Sequence, residues 1–567
     1  MPSHLVAPHG GRLSDLMASP ERVARLKAEA REMPSWSLLP RQLADVELLL
    51  SGALSPLEGY MGRSDYDRVT RERRLASGVP WPLPVTLDVP EELARSLEPG
   101  RSLALRDPEG LLVAVVSVED VWAPDREQEA LAVCGTKDPA HPGAHRLLQE
   151  TAPWAIGGRL EGVEAPHHYD FVERRQTPAQ MRERFAKWGW QKVAAFHTGD
   201  VMHRAEQELT IAAARELEAA LLVQLEVAAT SFWDAGHYSR IRCLEAVMKT
   251  YPPGTAHLNL LPLAPRHAGA REILLGAIVA QNHGCSHYVV REDAPGASDG
   301  VLGDESGGLE IALVPAAERV YLPDQGGFVA ADAVPAGAAA KCLSGAELHE
   351  RLAWDREIPS WFSFPEVLDE LRRSHPPRSR QGFTVFFTGL PSSGKSTLAN
   401  VLLVKLLEIG GRPVTLLDGD LVRRHLSSEL GFSREHRNLN IARIGYVASE
   451  ITKNGGIAIC APIAPYDAVR RAVRAMVEPG GGFLLVHVAT PVEVCEQRDR
   501  KGLYAKARAG IVKEFTGISD PYEEPKDAGI VLDTTDRSPE ECVQAVLLHL
   551  EKEGYIGPSS ASPGVAR

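Results

Sequence analysis

Residues 383–397 read Phe-Thr-Val-Phe-Phe-Thr-Gly-Leu-Pro-Ser-Ser-Gly-Lys-Ser-Thr. An apolar run of strand type ends at Gly389. After four intervening residues, Gly394, Lys395 and Ser396 complete the G-x-x-x-x-G-K-[ST] spacing of a P-loop. The glycines let the backbone curl so that successive N–H groups face a phosphate. The helix expected after it adds its positive N-terminal end. Lys395 is expected to reach the β- and γ-phosphates, and the Ser396 hydroxyl to ligate Mg²⁺.

The chain around this loop has 567 residues, too many for one core, and typical domain size implies several domains. Its net charge of −13 disfavours a nucleic-acid partner but not small anionic substrates, which local fields capture. The seven cysteines include no C-x-x-C pair, so neither a zinc site nor a disulfide framework is expected, and a cytoplasmic location fits. The N-terminus lacks a signal-type apolar stretch and no run approaches about 18 apolar residues, so neither an export signal nor a membrane partner is expected.

Four folding regions and a tail are expected, making an α/β multidomain chain. Residues 1–170 carry short β-type runs punctuated by Pro and Gly, such as Leu111–Val118, and suggest a β-barrel-like domain. Residues 171–330 alternate strands with helices, one helix running from about His203 to Ala220, and suggest a parallel α/β domain. Residues 331–373 read as a small connecting unit and 374–381 as a Pro- and Arg-rich hinge. A P-loop α/β domain fills 382–556, and 557–567 form a polar tail.

Downstream of the P-loop, Val414-Thr-Leu-Leu-Asp-Gly-Asp420 is a second strand ending in two carboxylates, which can bind Mg²⁺ or accept a proton from an attacking hydroxyl. Arg423 and Arg437 supply planar cationic forks suited to sulfate or phosphate oxygens, and Phe432 a ring that can stack on a purine.

These segments, with Gly431–Asn438, Ala461–Tyr466, Lys501–Tyr504 and Phe515–Ile518, closely resemble adenylyl-sulfate (APS) kinase. The resemblance implies phosphoryl transfer from ATP to the 3′-hydroxyl of APS, giving ADP and 3′-phosphoadenylyl sulfate (PAPS), with Mg²⁺ and no tightly bound organic cofactor. It implies ATP contacts at Gly389, Ser392, Ser393, Gly394, Lys395, Ser396, Thr397, Arg498, Thr516 and Gly517. APS contacts are implied at Arg423, Phe432, Arg437, Asn440, Ile463 and Lys501, the last in a mobile lid with Lys506 and Arg508. Asp420 is the candidate base and Asp418 a metal-side or orienting group. Two positions depart from the family. Ala464 stands where a serine proposed as a phosphorylated intermediate is frequent, so a covalent route through that position is excluded. His436 replaces a usual acid.

Ser55–Met61, Trp81–Asp88 and Leu260–Glu272 resemble ATP sulfurylase (sulfate adenylyltransferase), over roughly residues 15–365. That resemblance implies a nucleotidyltransferase-like fold and a homo-oligomer, dimer or hexamer. Its nucleotide motif, Gln-Thr-Arg-Asn-Pro followed by His-x-x-His, is altered. Here it reads His197-Thr-Gly-Asp-Val201 and then His203-Arg-Ala-Glu206, so Gly199, Asp200 and Glu206 replace Arg, Asn and His, and His203 is retained. In the second motif Glu292 and Ala294 replace Arg and His. Added acids repel sulfate and triphosphate. The leading expectation is therefore an APS kinase on an inactive sulfurylase-like scaffold. The alternatives are a bifunctional enzyme, and a changed ligand with Arg204 and Arg291 as replacement cations.

Overall fold

The computed structural model describes residues 5–227, 235–297, 308–499 and 502–557. Lys501, the tail from 558 and the side chain of Asp420 lie outside the described residues. The chain forms two compact units. One comprises residues 1–343 and 359–374, the other 344–358 and 375–567.

In the first unit a six-stranded sheet runs in the order Ser35–Ser37, Ser102–Arg106, Leu112–Trp122, Trp154–Gly162, Gly59–Tyr60, with Leu87–Val89 also paired to Trp154–Gly162. All its pairings are antiparallel except that of the first strand with the second. A parallel five-stranded sheet follows, ordered Ala312–Ala316, His287–Arg291, Val193–Thr198, Ala220–Glu226, Ala256–Leu261. Its strands Val193–Thr198 and Ala220–Glu226 are short apolar runs buried on both faces, as helix-covered parallel strands are, while the edge strand Ala312–Ala316 is largely uncovered. The helix expected to reach Ala220 is Arg204–Glu216. It stops because Ala220 begins the next strand.

The boundary expected near 170 is not a break in packing. Helix Ala270–Asn282 is buried from Ile273 to its end, and its Leu275, Ile278 and Val279 join the core formed by Val46, Trp81, Leu105 and Val116. Polar side chains fasten the same regions. Arg271 donates to the carbonyls of Val69, Thr70 and Pro82, and Asn282 to those of Ala53 and Ser55. Burial pulls the Arg271 guanidinium down to about 10, and the three carbonyls hold its donors.

The connecting unit expected at 331–373 is likewise divided. Helix Pro365–Ser374 buries Val367, Leu368 and Leu371 and packs on helix Ala235–Met248, so it belongs to the first unit. Helix Gly345–Ala353 belongs to the second. Its amphipathic face needs a partner, and Arg378 joins the two ends of that unit by donating to Glu553 while lying over the Trp354 ring.

The second unit is a parallel sheet in the order Val414–Asp418, Ile457–Ala461, Phe383–Gly389, Gly482–Val488, Ile530–Leu532. The P-loop strand is central and fully buried. Helices Lys395–Ile409 and Pro539–Lys552 pack on one face, where Phe383, Val385 and Phe387 point. Helix Arg434–Lys453 covers Phe386 on the other. Phe386→Ala removes a ring that is 0 % exposed, and the expected cost is about 3–5 kcal/mol in the stability of this unit. Denaturant unfolding of the full chain followed by a probe in the second unit measures it, and a change below about 1 kcal/mol contradicts the packing.

Candidate functional site

The five parallel strands end on one edge of the sheet, which is where α/β folds bind ligands. The loop leaving the central strand follows the P-loop path. Gly389 has φ 150°, and a Cβ there would lie 2.4 Å from the Val488 carbonyl, so the sheet admits no side chain at that turn. Ser392 sits at φ 61° and Gly394 at φ 104°, and Gly394 opens the helix Lys395–Ile409.

Lys395 folds back into this loop. Its Nζ donates to the carbonyls of Gly389 (2.9 Å) and Leu390 (2.6 Å). Burial pulls the ammonium down to about 8, opposed by Cys495 and Asp418. Ser396 Oγ donates to Asp418 Oδ2 at 3.0 Å, so a hydroxyl and a carboxylate meet at the mouth of the loop. These are hard oxygen donors of the type Mg²⁺ takes together with substrate phosphates. Both members of the expected metal pair are thus brought together.

The other expected residues gather around the same edge. Arg423 donates to the carbonyls of Leu430 and Gly431 and lies 4.4 Å from the centre of the Phe432 ring, which is 70 % exposed. Arg437 pairs with Asp520 (2.7 Å) and donates to Thr516 Oγ1 and the Phe432 carbonyl, which joins helix Arg434–Lys453 to the 514–520 loop. Asn440 is buried, and among the described residues no hydrogen bond reaches its Oδ1. The Ile463 carbonyl accepts from Thr388 Oγ1 at 2.7 Å. Gly517 has φ 88°, and a Cβ there would come 2.7 Å from Leu390. A cleft of about 630 Å³ lies between Leu390, Thr490, Gly517, Asp520 and Tyr522. Arg498 is engaged by Thr534, through both its hydroxyl and its carbonyl (2.7 Å each). Ala464 is buried at φ 47°, with its carbonyl held by Arg470 at 2.8 Å.

Sequence reasoning gave no role to Thr388 and Tyr466, although both lie in the quoted motifs, and did not single out Asp520, Thr490 and Thr534. Tyr466 donates to Asp520 at 2.9 Å, and Thr490 and Thr534 reach the P-loop backbone. Single Thr and Asp residues outside the motifs give no local signal. They matter through pairings 44–141 positions apart.

In the first unit, His197 ends the strand Val193–Thr198, and His203 begins the helix Arg204–Glu216. His197 Nε2 meets Gln224 Oε1 at 3.0 Å, while its Nδ1 lies 3.7 Å from Glu226. His203 Nδ1 meets Ser363 Oγ at 2.8 Å, and burial lowers its pKa despite Glu206 and Asp200. Glu206 caps its own helix by accepting from the His203 N–H at 2.9 Å. Gly199 leaves open space where a Cβ would project, and Asp200 and Glu292 are exposed. The two replacement cations have internal partners. Arg204 donates to the carbonyls of Ser360 and Ser363, and Arg291 grips Asp293 through two nitrogens.

The lowered Lys395 pKa has a sign that can be tested. Between about pH 8 and 10.5 the unfolded chain carries the extra proton, so this lysine's contribution to stability rises with pH across that window. Amine acylation of the free protein should therefore modify Lys395 with a midpoint near 8, and bound polyphosphate should move that midpoint upward. Peptide mapping against pH reads this out, and a midpoint above about 10 in the free protein contradicts the burial argument.

Three family models match the chain: a PUA-like domain over residues 6–165, ATP-sulfurylase over 172–374 and adenylylsulphate kinase over 381–533. A sulfate adenylyltransferase of Neurospora crassa is 45% identical over 97% of this chain and 99% of its own length. One of Chaetomium globosum is 46% identical with the same coverage. A solved structure, the hexameric APS kinase from Thiobacillus denitrificans, superposes with a TM-score of 0.82 at 41% identity, covering 97% of this chain and all of that one. With both domain types present and such identity along the whole length, the chain belongs to the bifunctional ATP sulfurylase/APS kinase family.

Proposed function

We propose that the second unit transfers the γ-phosphoryl group of ATP to the 3′-hydroxyl of APS. The observation that carries this reading is the P-loop with Lys395 folded into it and the Ser396–Asp418 pair at its mouth, inside a region matching the kinase family. Mg²⁺ held by Ser396 and Asp418 would supply charge neutralisation on the phosphates. The loop N–H groups bind and orient the triphosphate. Lys395 leaves its carbonyl partners to meet the negative charge that develops on the transferring group. The 3′-oxygen of APS forms the new P–O bond, its proton passes to the Asp420 carboxylate, and the β–γ bridge bond breaks with its electron pair leaving on ADP. Ala464 has no hydroxyl, which leaves direct in-line transfer.

For the first unit, the relatives' names favour a second reading over the inactive scaffold expected from the motifs. Relatives spanning nearly the whole chain are named sulfate adenylyltransferase, which supports a bifunctional enzyme that also joins ATP and sulfate to APS. Such an enzyme has to work with Gly199, Asp200, Glu206 and Glu292 where the family motif carries Arg, Asn, His and Arg, and with Arg204 and Arg291 already engaged. These residues support slow exchange rather than fast. The hexameric relative supports assembly of this chain into a homo-oligomer.

Lys395→Ala should lower APS phosphorylation by about 10²–10³-fold or more, read as ADP release, and near-normal turnover removes the P-loop assignment. Asp420→Asn should depress kcat strongly while leaving the KM for APS within a few-fold, and an unchanged kcat removes Asp420 as base. For the first unit, sulfate-dependent ATP–pyrophosphate exchange decides. Gly199→Arg fills open space with a cationic fork and is expected to raise the exchange rate. Wild-type exchange measurably above the sulfate-free background establishes the bifunctional reading, and background exchange restores the scaffold.

A further inference from the structure

Two threonines more than 90 residues downstream hydrogen-bond the P-loop backbone from outside the loop. Thr490 follows the strand Gly482–Val488, and Thr534 follows Ile530–Leu532, so both come off strand ends on the P-loop edge of the sheet. They are 2 % and 7 % exposed. Thr490 Oγ1 lies 3.1 Å and Thr534 Oγ1 3.0 Å from the same acceptor, the carbonyl oxygen of Ser393, and the two hydroxyls are 2.8 Å apart.

Proton counting makes the arrangement informative. Two hydroxyls carry two protons for three contacts. The line between the two oxygens holds a single proton, so at least one hydroxyl always donates to the Ser393 carbonyl. Thr490 Oγ1 also accepts from the Thr534 N–H (3.3 Å), and Thr534 Oγ1 accepts from Arg498 (2.7 Å). Each incoming donor occupies one of its oxygen's two lone pairs, and the mutual contact takes one more, so the hydroxyl proton left over points to the carbonyl.

The Ser393 carbonyl and the Gly394 N–H belong to one planar peptide and point in opposite directions. A carbonyl held outward on the threonines therefore holds the Gly394 N–H inward, toward the bound phosphate. Gly394 adopts φ 104°, where the chain has no strong preference of its own to fix that peptide. A Cβ at Gly394 would stand 3.5 Å from Thr534 Oγ1, so loop and latch are in contact.

We propose that Thr490 and Thr534 are positioning residues that lock the Ser393–Gly394 peptide into its phosphate-binding orientation, each able to cover for the other. Through Thr534 the lock also touches Arg498, so the segment following helix Val492–Gln497 and the phosphate loop share one hydrogen-bonded chain. This rests on the nucleotide-binding part of the kinase reading.

The test is a double-mutant cycle in the full chain, read by calorimetric binding of ADP with Mg²⁺ and by the KM for ATP against the KM for APS. Thr490→Val and Thr534→Val keep shape and remove one hydroxyl each. Each is expected to weaken ADP binding about threefold, because the remaining hydroxyl still reaches the carbonyl. The double valine variant is expected to lose about thirtyfold or more, beyond the product of the single effects. The KM for ATP should follow ADP affinity while that for APS stays within about twofold. The double serine variant, which keeps both hydroxyls, should bind ADP as the wild type does.

Multiplicative single effects overturn the proposal, and so does a double serine variant as weak as the double valine. If the double valine chain does not fold, Thr490→Val is compared with Thr490→Ser. Weaker ADP binding by the valine variant alone supports the lock, and equal binding overturns it. A wild type that binds ADP but leaves APS unphosphorylated removes the kinase reading and leaves this cycle interpretable.

Discussion

A cation kept out of water by a ring of backbone dipoles is the constraint around which the second unit is arranged. Lys395 is 7 % exposed, and its ammonium is satisfied by carbonyls that phosphate oxygens would replace. Holding a charge this way is costly unless the surrounding atoms cannot relax. The sheet provides that rigidity. Its central strand is paired on both sides, the turn after it contacts the neighbouring backbone at Gly389, and aromatic packing fills both faces. Pre-organised dipoles in a dry site are the form of electrostatic stabilisation that contributes most to phosphoryl transfer.

The first unit is organised by burial instead. One helix, Ala270–Asn282, is surrounded on all sides and makes a single body of two regions that composition separates. Its arginine and asparagine donate to carbonyls of distant loops, leaving few of those groups unsatisfied. Such a body tolerates changes in its ligand-facing residues, because Gly199, Asp200 and Glu292 contribute little to the core. Retained architecture and altered site chemistry are compatible for that reason, and family membership alone does not fix the rate of adenylyl transfer.

What was legible in the chain followed from local pattern. Strand, loop and helix around residue 389 obey hydrophobic periodicity and glycine conformation, both short-range properties. The meeting of Ser396 with Asp418 was legible because two successive strands of a parallel sheet end on the same edge. The rest depended on sheet order. Thr490 and Thr534 become neighbours because Gly482–Val488 pairs with Ile530–Leu532, and no local signal encodes that pairing. The expectation of a connecting unit at 331–373 came from local pattern, and its two helices, each amphipathic in the ordinary way, are grouped with different compact units. Arg437 read as a ligand for anions, yet it already holds Asp520, a partner 83 positions away.

Glu206 ties the changed site to the fold. The acid that stands in place of the family's second histidine accepts the backbone N–H of His203, the residue that caps the helix. This is the reach-back half of a capping box, which satisfies a donor at the helix start. Glu206→His would remove this contact, so any new ligand contact at that position would come with a loss at the helix start. The side chain at 206 therefore serves the fold and the site at once, and a change made for one is felt by the other.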